Sequence, residues 1–467
     1  MVPYSPITPE IIRELQKKID NSRIYSGQER LTACASDVSG FSHRPELVIA
    51  AGSVGDVQAV LQLANQFHFP VTPRGGGSGL AGGCVPIQGG VVLLTTDLNR
   101  ILTIDRRNFL MKVEPGVISQ ELRDAADKAG LFYPPDPAGM DRSTIGGNAA
   151  TDAGGPACVK YGTTRDYILG LEAVLPDGHL ITTGVETRKG VVGYDLTNLL
   201  VGSEGTLGVI TGLTLKLLAK PPATRTIMCV FSEMVSAMNY VSAVMGSGIL
   251  PSAIEFLDHR CLGLVGELLP FGLPDGQPSL LIIEVDGAES LVDHELAEIC
   301  ALAKQLGAVA HMQAKSEEER QRIWWVRRQV SLRIHEYAAI YIPEDIVVPI
   351  SHIAEMVEAL PAYESRFGIE VFAFGHAGDG NIHLNITTRK LEQRKQAEAG
   401  TRELLDLTLQ LRGTISGEHG IGVAKLPFIS MELSATSLDL QRGIKRLFDP
   451  NQILNPGKLF PEQGVTP

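Results

Sequence analysis

Six glycines fall within nine residues at Gly75–Gly83, in the run Pro73-Arg-Gly-Gly-Gly-Ser-Gly-Leu-Ala-Gly-Gly83, directly after the apolar Phe69-Pro-Val-Thr72. A stretch this poor in Cβ atoms lets backbone approach a ligand closely and turn its N–H groups toward anionic oxygens. Two familiar phosphate loops can be tested against it. Gly77–Gly82 satisfies G-x-G-x-x-G, but that fingerprint requires a helix to follow, with the pyrophosphate at its start. Pro86 and Gly89-Gly90 come next, then the strand-like Val91-Val-Leu-Leu-Thr95, so a Rossmann-type dinucleotide fold is excluded. A P-loop is excluded as well, since the stretch contains no lysine. On this segment alone, a flexible surface loop stays open as the alternative.

The surroundings narrow the choice. Thr8-Pro9-Glu10 starts a helix that carries Ile11, Ile12, Leu15 and Ile19 on one face. Leu47–Ala51 reads as a strand, and Ser53 with Asp56 as a capping box opening a helix whose buried face is Val57, Val60, Leu61 and Ala64. Strands are expected at 91–95, 101–104, 110–114 and 209–218, with a hairpin across Asp177-Gly178 and one amphipathic helix near 119–129. Among them sit three more permissive stretches, Tyr133–Gly139, Ser143–Gly155 and Gly202–Gly208. Four such loops so close together are more than chain reversal needs.

Lys220-Pro221-Pro222 punctuates the chain, and the pattern changes after it. Strands near 227–231, 252–257 and 279–285 alternate with helices near 233–246, 289–306, 317–336 and 351–366, which predicts an antiparallel sheet covered on one face by helices. The expected fold is therefore α+β, with a helical arm over 1–42, a first domain over 43–222, a second over 223–412 and a turn-rich C-terminal segment over 413–467.

A net charge of −12 argues against nucleic acid or an anionic membrane as a partner held by bulk charge. The six cysteines show no C-x-x-C, so spacing encodes neither a zinc ribbon nor an iron–sulfur cluster. Met1-Val-Pro-Tyr-Ser-Pro6 lacks the basic-then-apolar pattern of a signal peptide, and no apolar run reaches the ~18 residues of a membrane span. The expectation is a cytoplasmic protein without a transmembrane segment, at most peripheral to a membrane through a partner.

The sharpest chemical signal is His376-Ala-Gly-Asp-Gly-Asn-Ile-His383, set between the strand-like Val371–Phe374 and Leu384–Thr387. A tight Gly-Asp-Gly-Asn turn folds two strands together and brings the imidazoles near each other. Ser416-Gly-Glu418-His419-Gly420 adds an acid and a third imidazole between glycines. Two nitrogens and one carboxylate leave coordination positions open, an arrangement suited to catalysis. The competing reading makes each histidine an ordinary hydrogen-bonded turn residue.

Taken together, Arg74–Gly79, Thr144-Ile-Gly-Gly-Asn148, Lys160-Tyr-Gly162, Gly202–Gly208, His376–His383 and Gly417-Glu-His-Gly420 resemble the FAD-linked D-2-hydroxy-acid dehydrogenases of the vanillyl-alcohol-oxidase type, over about residues 40 to 460. This family includes glycolate oxidase catalytic subunits, D-lactate dehydrogenases and D-2-hydroxyglutarate dehydrogenases. The resemblance implies a two-part FAD-binding domain and an α+β cap domain. It implies FAD contacts from Arg74, Gly75, Gly76, Gly77, Ser78, Gly79, Ser143, Thr144, Gly146, Gly147, Asn148, Gly154, Gly155, Tyr161, Gly162, Gly205, Val209, Ile210 and Asn455. Ser78 stands where some relatives carry a flavin-linked histidine, so non-covalent FAD is expected. His376, His383 and Glu418 become ligands of one divalent metal, zinc or manganese, His419 the general base, and Arg327 the clamp on a substrate carboxylate. Tyr341-Ile-Pro-Glu-Asp345 lacks the lysine of D-2-hydroxyglutarate dehydrogenases, which favours a small monocarboxylate such as lactate or glycolate. The electron acceptor stays open, among quinone reached through an iron–sulfur subunit, an electron-transfer flavoprotein, a cytochrome and oxygen, and a homodimer is one compatible assembly. A same-fold transferase of the alkyl-dihydroxyacetone-phosphate synthase type and a flavin-carrying relay subunit are the rival functions.

Overall fold

A computed structural model of the chain describes residues 3–461. The chain forms two compact units. One comprises the residues up to Gly154, Thr163–Lys220 and the chain from Glu418 onward; the other comprises Gly155–Gly162 and Pro221–Gly417.

In the first unit Thr8 caps helix α1 (Pro9–Lys18), its hydroxyl accepting from the Ile11 N–H at 3.3 Å, with proline in the first turn and two lysines in the last. Strands β1 (Ile24–Tyr25), β2 (Leu47–Ala50), β3 (Val71–Arg74) and β4 (Val91–Leu94) form a sheet in the order β1-β2-β4-β3, with β4 parallel to both its neighbours. Helix α2 (Val54–Phe67) joins β2 to β3 and opens on the expected capping box between Ser53 and Asp56. Ile11 and Leu15 of α1 pack with Val57, Val60, Leu61 and Ala64 of α2 and with Val71, Val91 and Leu93 of the sheet, all essentially inaccessible. Each large aliphatic side chain buried there contributes about 1.5–3 kcal/mol, which holds α1 on this core. From the far end of the sequence, Ile453 and Leu454 enter the same core, the Val71 N–H donating to Ile453 O at 2.8 Å and the Asn455 N–H to Val71 O at 2.7 Å.

The second sheet of this unit is antiparallel, with β5 (Ile101–Asp105), β6 (Leu110–Val113), β7 (Ile168–Val174), β8 (Leu180–Gly184) and β9 (Val209–Lys216) in the order β5-β6-β9-β7-β8. Between β6 and β7 lie helices α3 (Ser119–Lys128) and α4 (Ile145–Thr151). The sequence reading took Ser143–Gly155 as a permissive loop, and here the structure corrects it. Thr144 caps α4 by accepting from the Gly147 N–H at 3.2 Å, and Asn148 Nδ2 donates to Ser119 Oγ at 2.8 Å. Gly146 is needed for close packing, since a Cβ there would lie 2.5 Å from that of Pro115.

The second unit is built on seven antiparallel strands: β10 (Ala223–Phe231), β11 (Ala253–Leu257), β12 (Ser279–Gly287), β13 (Ala310–Gln313), β14 (Ile340–Val347), β15 (Glu370–His376) and β16 (Asn381–Thr388), in the order β13-β10-β12-β11-β15-β16-β14. Helices cover both faces, not one. Met228 and Val230 pack with Ile323, Val326 and Val330 of the helix Glu317–Tyr337, whereas Phe231, pointing the other way by strand alternation, meets Tyr240 of the helix Met234–Gly246 at 5.2 Å.

Candidate active site

In the first unit the glycine loop leaves the end of β3 and walls a cavity of about 970 Å³, including its open mouth. Of the residues expected to hold a cofactor, Arg74 through Gly79, Thr144, Gly146, Gly147, Asn148, Gly205, Val209 and Ile210 line it. The loop is sealed against its neighbour, since a Cβ on Gly76 would stand 2.1 Å from Arg142 O. His419 lines the same cavity, and the side chain of the preceding Glu418 lies against Gly154, where an added Cβ would meet it at 3.2 Å.

Five expected residues sit elsewhere, together with Gly154. Ser143 stands behind the wall, its hydroxyl 2.9 Å from Ser119 Oγ. Gly155, Tyr161 and Gly162 belong to the second unit, where the Tyr161 hydroxyl donates to Asp286 Oδ2 at 2.7 Å and Lys160 Nζ to Asp286 Oδ1 at 2.6 Å. Asn455 ties lining loops together, its amide donating to Gly83 O at 2.9 Å and Glu204 O at 2.7 Å.

Sequence reasoning missed several members of the wall, among them Asp37, Cys84, Thr95 and Glu204. Glu204 lies inside the quoted Gly202–Gly208 run, and that run was the available signal; Asp37 and Cys84 carry none. The buried Glu204 carboxylate accepts from the N–H groups of Ile421 at 2.7 Å and Gly422 at 2.8 Å, just after His419 in sequence. Burial raises its pKa above the ordinary carboxylate range despite those two bonds. Lys458 is driven down to about 8 by burial, against the pull of Cys84, Glu204 and Asp37, and donates to Val85 O at 2.6 Å.

In the second unit β15 and β16 form the expected hairpin, and strand register places the chemistry. Glu255, His376 and Asn381 fall in one row across β11, β15 and β16; Phe374, His383 and Asp345 fall in the next across β15, β16 and β14. The two imidazoles stand nearly perpendicular, 5.2 Å apart. His376 Nδ1 is hydrogen-bonded to Glu255 Oε1, while Glu255 Oε2 accepts from Arg327 Nε at 2.7 Å. The Arg327 guanidinium lies over the Phe374 ring, 4.4 Å from its centre. Burial alone would raise the Glu255 carboxyl, but facing His376 and Arg327 holds it down at about 2. His383 Nδ1 is 3.7 Å from Asp345 Oδ1, and Asp345 also accepts from Asn381 Nδ2 at 2.6 Å and the Gly417 N–H at 2.9 Å. Nothing in the local pattern of Ser252–Leu257 announced Glu255, which reads as one more position of a buried strand.

Both expected groups fit the residues present. The first cavity is walled by glycine backbone, which suits close approach to the pyrophosphate of a dinucleotide. In the second unit His376 is hydrogen-bonded to a carboxylate through Nδ1, the arrangement that metal-ligating imidazoles adopt with Nε2 toward the ion, while His383 Nδ1 stands 3.7 Å from Asp345 Oδ1. The first unit, with its two sheets and glycine-walled cavity, and the second, with its seven antiparallel strands, are each those of a two-part flavoprotein of the vanillyl-alcohol-oxidase type. The comparisons agree with that class: residues 45–184 match the family model of the FAD binding domain, and residues 220–459 that of the FAD linked oxidases, C-terminal domain. The chain is 40% identical to the glycolate oxidase subunit GlcD of Bacillus subtilis, over 90% of each protein, and 34% identical to the D-lactate dehydrogenase of Anaerostipes hadrus, over 98% of each. The solved structure of p-cresol methylhydroxylase with substrate bound superposes with a TM-score of 0.79 at 18% identity, over 98% of each chain. This chain belongs to the FAD-linked oxidase family and is an FAD-dependent oxidoreductase.

Proposed function

We propose that the protein oxidises a D-2-hydroxy acid, D-lactate or glycolate, to the 2-oxo acid and passes the electrons to an acceptor other than NAD. The observation that carries this reading is His419 on the wall of the glycine-lined cavity, an imidazole that can take a proton from a substrate held there. The relatives named glycolate oxidase subunit and D-lactate dehydrogenase support the substrate class.

Proton removal sets what the site must supply. An unassisted hydroxyl, about as weakly acidic as water, lies roughly 9 pKa units above a histidine, an uphill transfer of about 12 kcal/mol. A turnover near 10 per second allows a total barrier of about 16 kcal/mol. Bound FAD would take the hydride, and a divalent ion, zinc or manganese, would acidify the hydroxyl. His376, His383 and Glu418 are the residues that would hold the ion. Gly417, fixed by Asp345, directly precedes Glu418 in the chain, which supports that set. His419 takes the hydroxyl proton. Arg327 fixes the substrate carboxylate, and its stacking on Phe374 limits the directions its fork can point. FAD is held without a covalent link, Ser78 standing on the cavity wall. The name GlcD, a subunit, supports a partner protein as electron acceptor, an iron–sulfur subunit or an electron-transfer flavoprotein. Among the described residues no helix is long and apolar enough to cross a membrane.

The test is anaerobic reduction of the bound flavin by a panel of D- and L-2-hydroxy acids, before and after chelation. Fast bleaching by D-lactate or glycolate that chelation abolishes is the expected result; bleaching by no 2-hydroxy acid overturns the reading. Acid precipitation should leave FAD in the supernatant.

A further inference from the structure

Glu255 is fully buried and uses both carboxylate oxygens, one on His376 Nδ1 and the other on Arg327 Nε. These two partners serve different tasks in the proposed function, on which the following rests. We infer that Glu255 is a positioning residue that selects the His376 tautomer with its lone pair on Nε2, and that the same carboxylate orients Arg327.

The two partners differ in what they tolerate. Arginine can only donate, whatever faces it. A neutral imidazole can either donate or accept through Nδ1, and the group opposite decides which tautomer forms. A carboxylate opposite Nδ1 makes that nitrogen the donor and leaves Nε2 able to ligate a metal. Glutamine has the same shape but one acceptor oxygen and one donor NH₂. In Glu255→Gln the oxygen must therefore turn to Arg327, since an NH₂ facing the guanidinium would oppose donor to donor. The NH₂ then faces His376 Nδ1 and draws the proton to Nε2, where it blocks coordination.

This gives a signature that a merely structural carboxylate would not produce. Full-length FAD-loaded wild type, Glu255→Gln and Glu255→Ala are stripped with a chelator. Zinc affinity is measured by competition with a chromophoric chelator, and pyruvate affinity by flavin absorbance at saturating zinc. Glu255→Gln should bind zinc about 10- to 100-fold more weakly, the cost typical of losing such a partner, while pyruvate affinity stays within about 3-fold of wild type. Glu255→Ala should lose both. In kinetics at limiting zinc, Glu255→Gln should recover kcat on zinc addition without a change in KM. Wild-type zinc affinity in Glu255→Gln, or loss of pyruvate binding with zinc binding intact, overturns the inference. If Glu255→Gln does not fold, Glu255→Asp keeps the charge but withdraws it by one methylene, and wild-type zinc affinity in that variant overturns the inference equally. A wild type that binds neither zinc nor pyruvate would sink the proposed function and this inference together, whereas a zinc-binding wild type matched by Glu255→Gln sinks this inference alone.

Discussion

Arg327 and His419 should fail differently when altered. In the proposed function the arginine meets a charge present before and during the reaction, so Arg327→Ala should chiefly raise KM, by about 10-fold or more for a charge-assisted contact. The imidazole, as the proposed base, would act while the proton moves, so His419→Gln should lower kcat about 10²- to 10⁴-fold with KM little changed. Stopped-flow flavin reduction by D-lactate reads both; wild-type reduction by His419→Gln with FAD and metal retained would move the base elsewhere. The runs His376–His383 and Glu418-His419 were legible as candidates because glycines and a tight turn flank them, and local chain reversal follows from local sequence, whereas Arg327 entered only through the family resemblance. Glu255 was not legible, because its role comes from a neighbouring strand, a distant helix and a register that no window of sequence contains.

Lys458 gives a residue-scale prediction with a definite sign. Its amine is held down at about 8 in the folded protein, against about 10.4 for an exposed lysine, by burial that outweighs the upward pull of Cys84, Glu204 and Asp37. Between those values the unfolded chain binds the proton and the folded chain does not, so folding gains as pH rises through the window. The full difference is worth about 3 kcal/mol, present as a cost below pH 8 and relieved above it. The thermal midpoint of wild type should therefore rise relative to Lys458→Met between pH 7.5 and 9.5. A gap that stays constant with pH would show that the lysine keeps one charge state throughout.

At the scale of elements, the Gly202–Gly208 wall is tied to the C-terminal segment by a buried clasp. Lys445, in the helix Ala435–Phe448, donates to Thr206 O and Leu454 O, each at 2.8 Å, and pairs with Asp449, which also accepts from the Ile453 and Leu454 N–H groups. Removing one member of a buried pair leaves the other uncompensated, so Lys445→Met should cost about 3–5 kcal/mol and loosen FAD, read as a lower midpoint and faster flavin loss on dilution. Unchanged flavin retention would show that the wall stands without the clasp. The same scale shows where sequence reading falls short. Helix α2 announces itself with Ser53, Asp56 and an apolar stripe, whereas α4 holds two glycines in seven residues and is stabilised by Thr144 and by Asn148 on Ser119. Low intrinsic propensity was overridden by tertiary contact, which a local pattern cannot register.

At the scale of the whole molecule, the first unit is assembled from three separated lengths of chain, and only the last brings Ile453–Asn455 beside β3. A chain ended at Lys220 keeps every glycine loop yet lacks the Asn455 amide that bridges Gly83 and Glu204. That fragment should purify without flavin, and co-expression with residues 418–467 should restore yellow colour. A yellow, monodisperse 1–220 fragment would contradict the dependence.

The late return of residues 453–455 also sets an order of events on the ribosome. Synthesis at roughly 5–20 residues per second separates the emergence of Lys220 from that of Asn455 by about 10–50 s. Throughout that interval the β3 edge of the nascent sheet waits without the segment that covers Val71, an open strand of the kind that recruits other chains. Flavin capture is then expected only after Asn455 has emerged, and a premature stop between residues 220 and 453 should leave a chain without flavin.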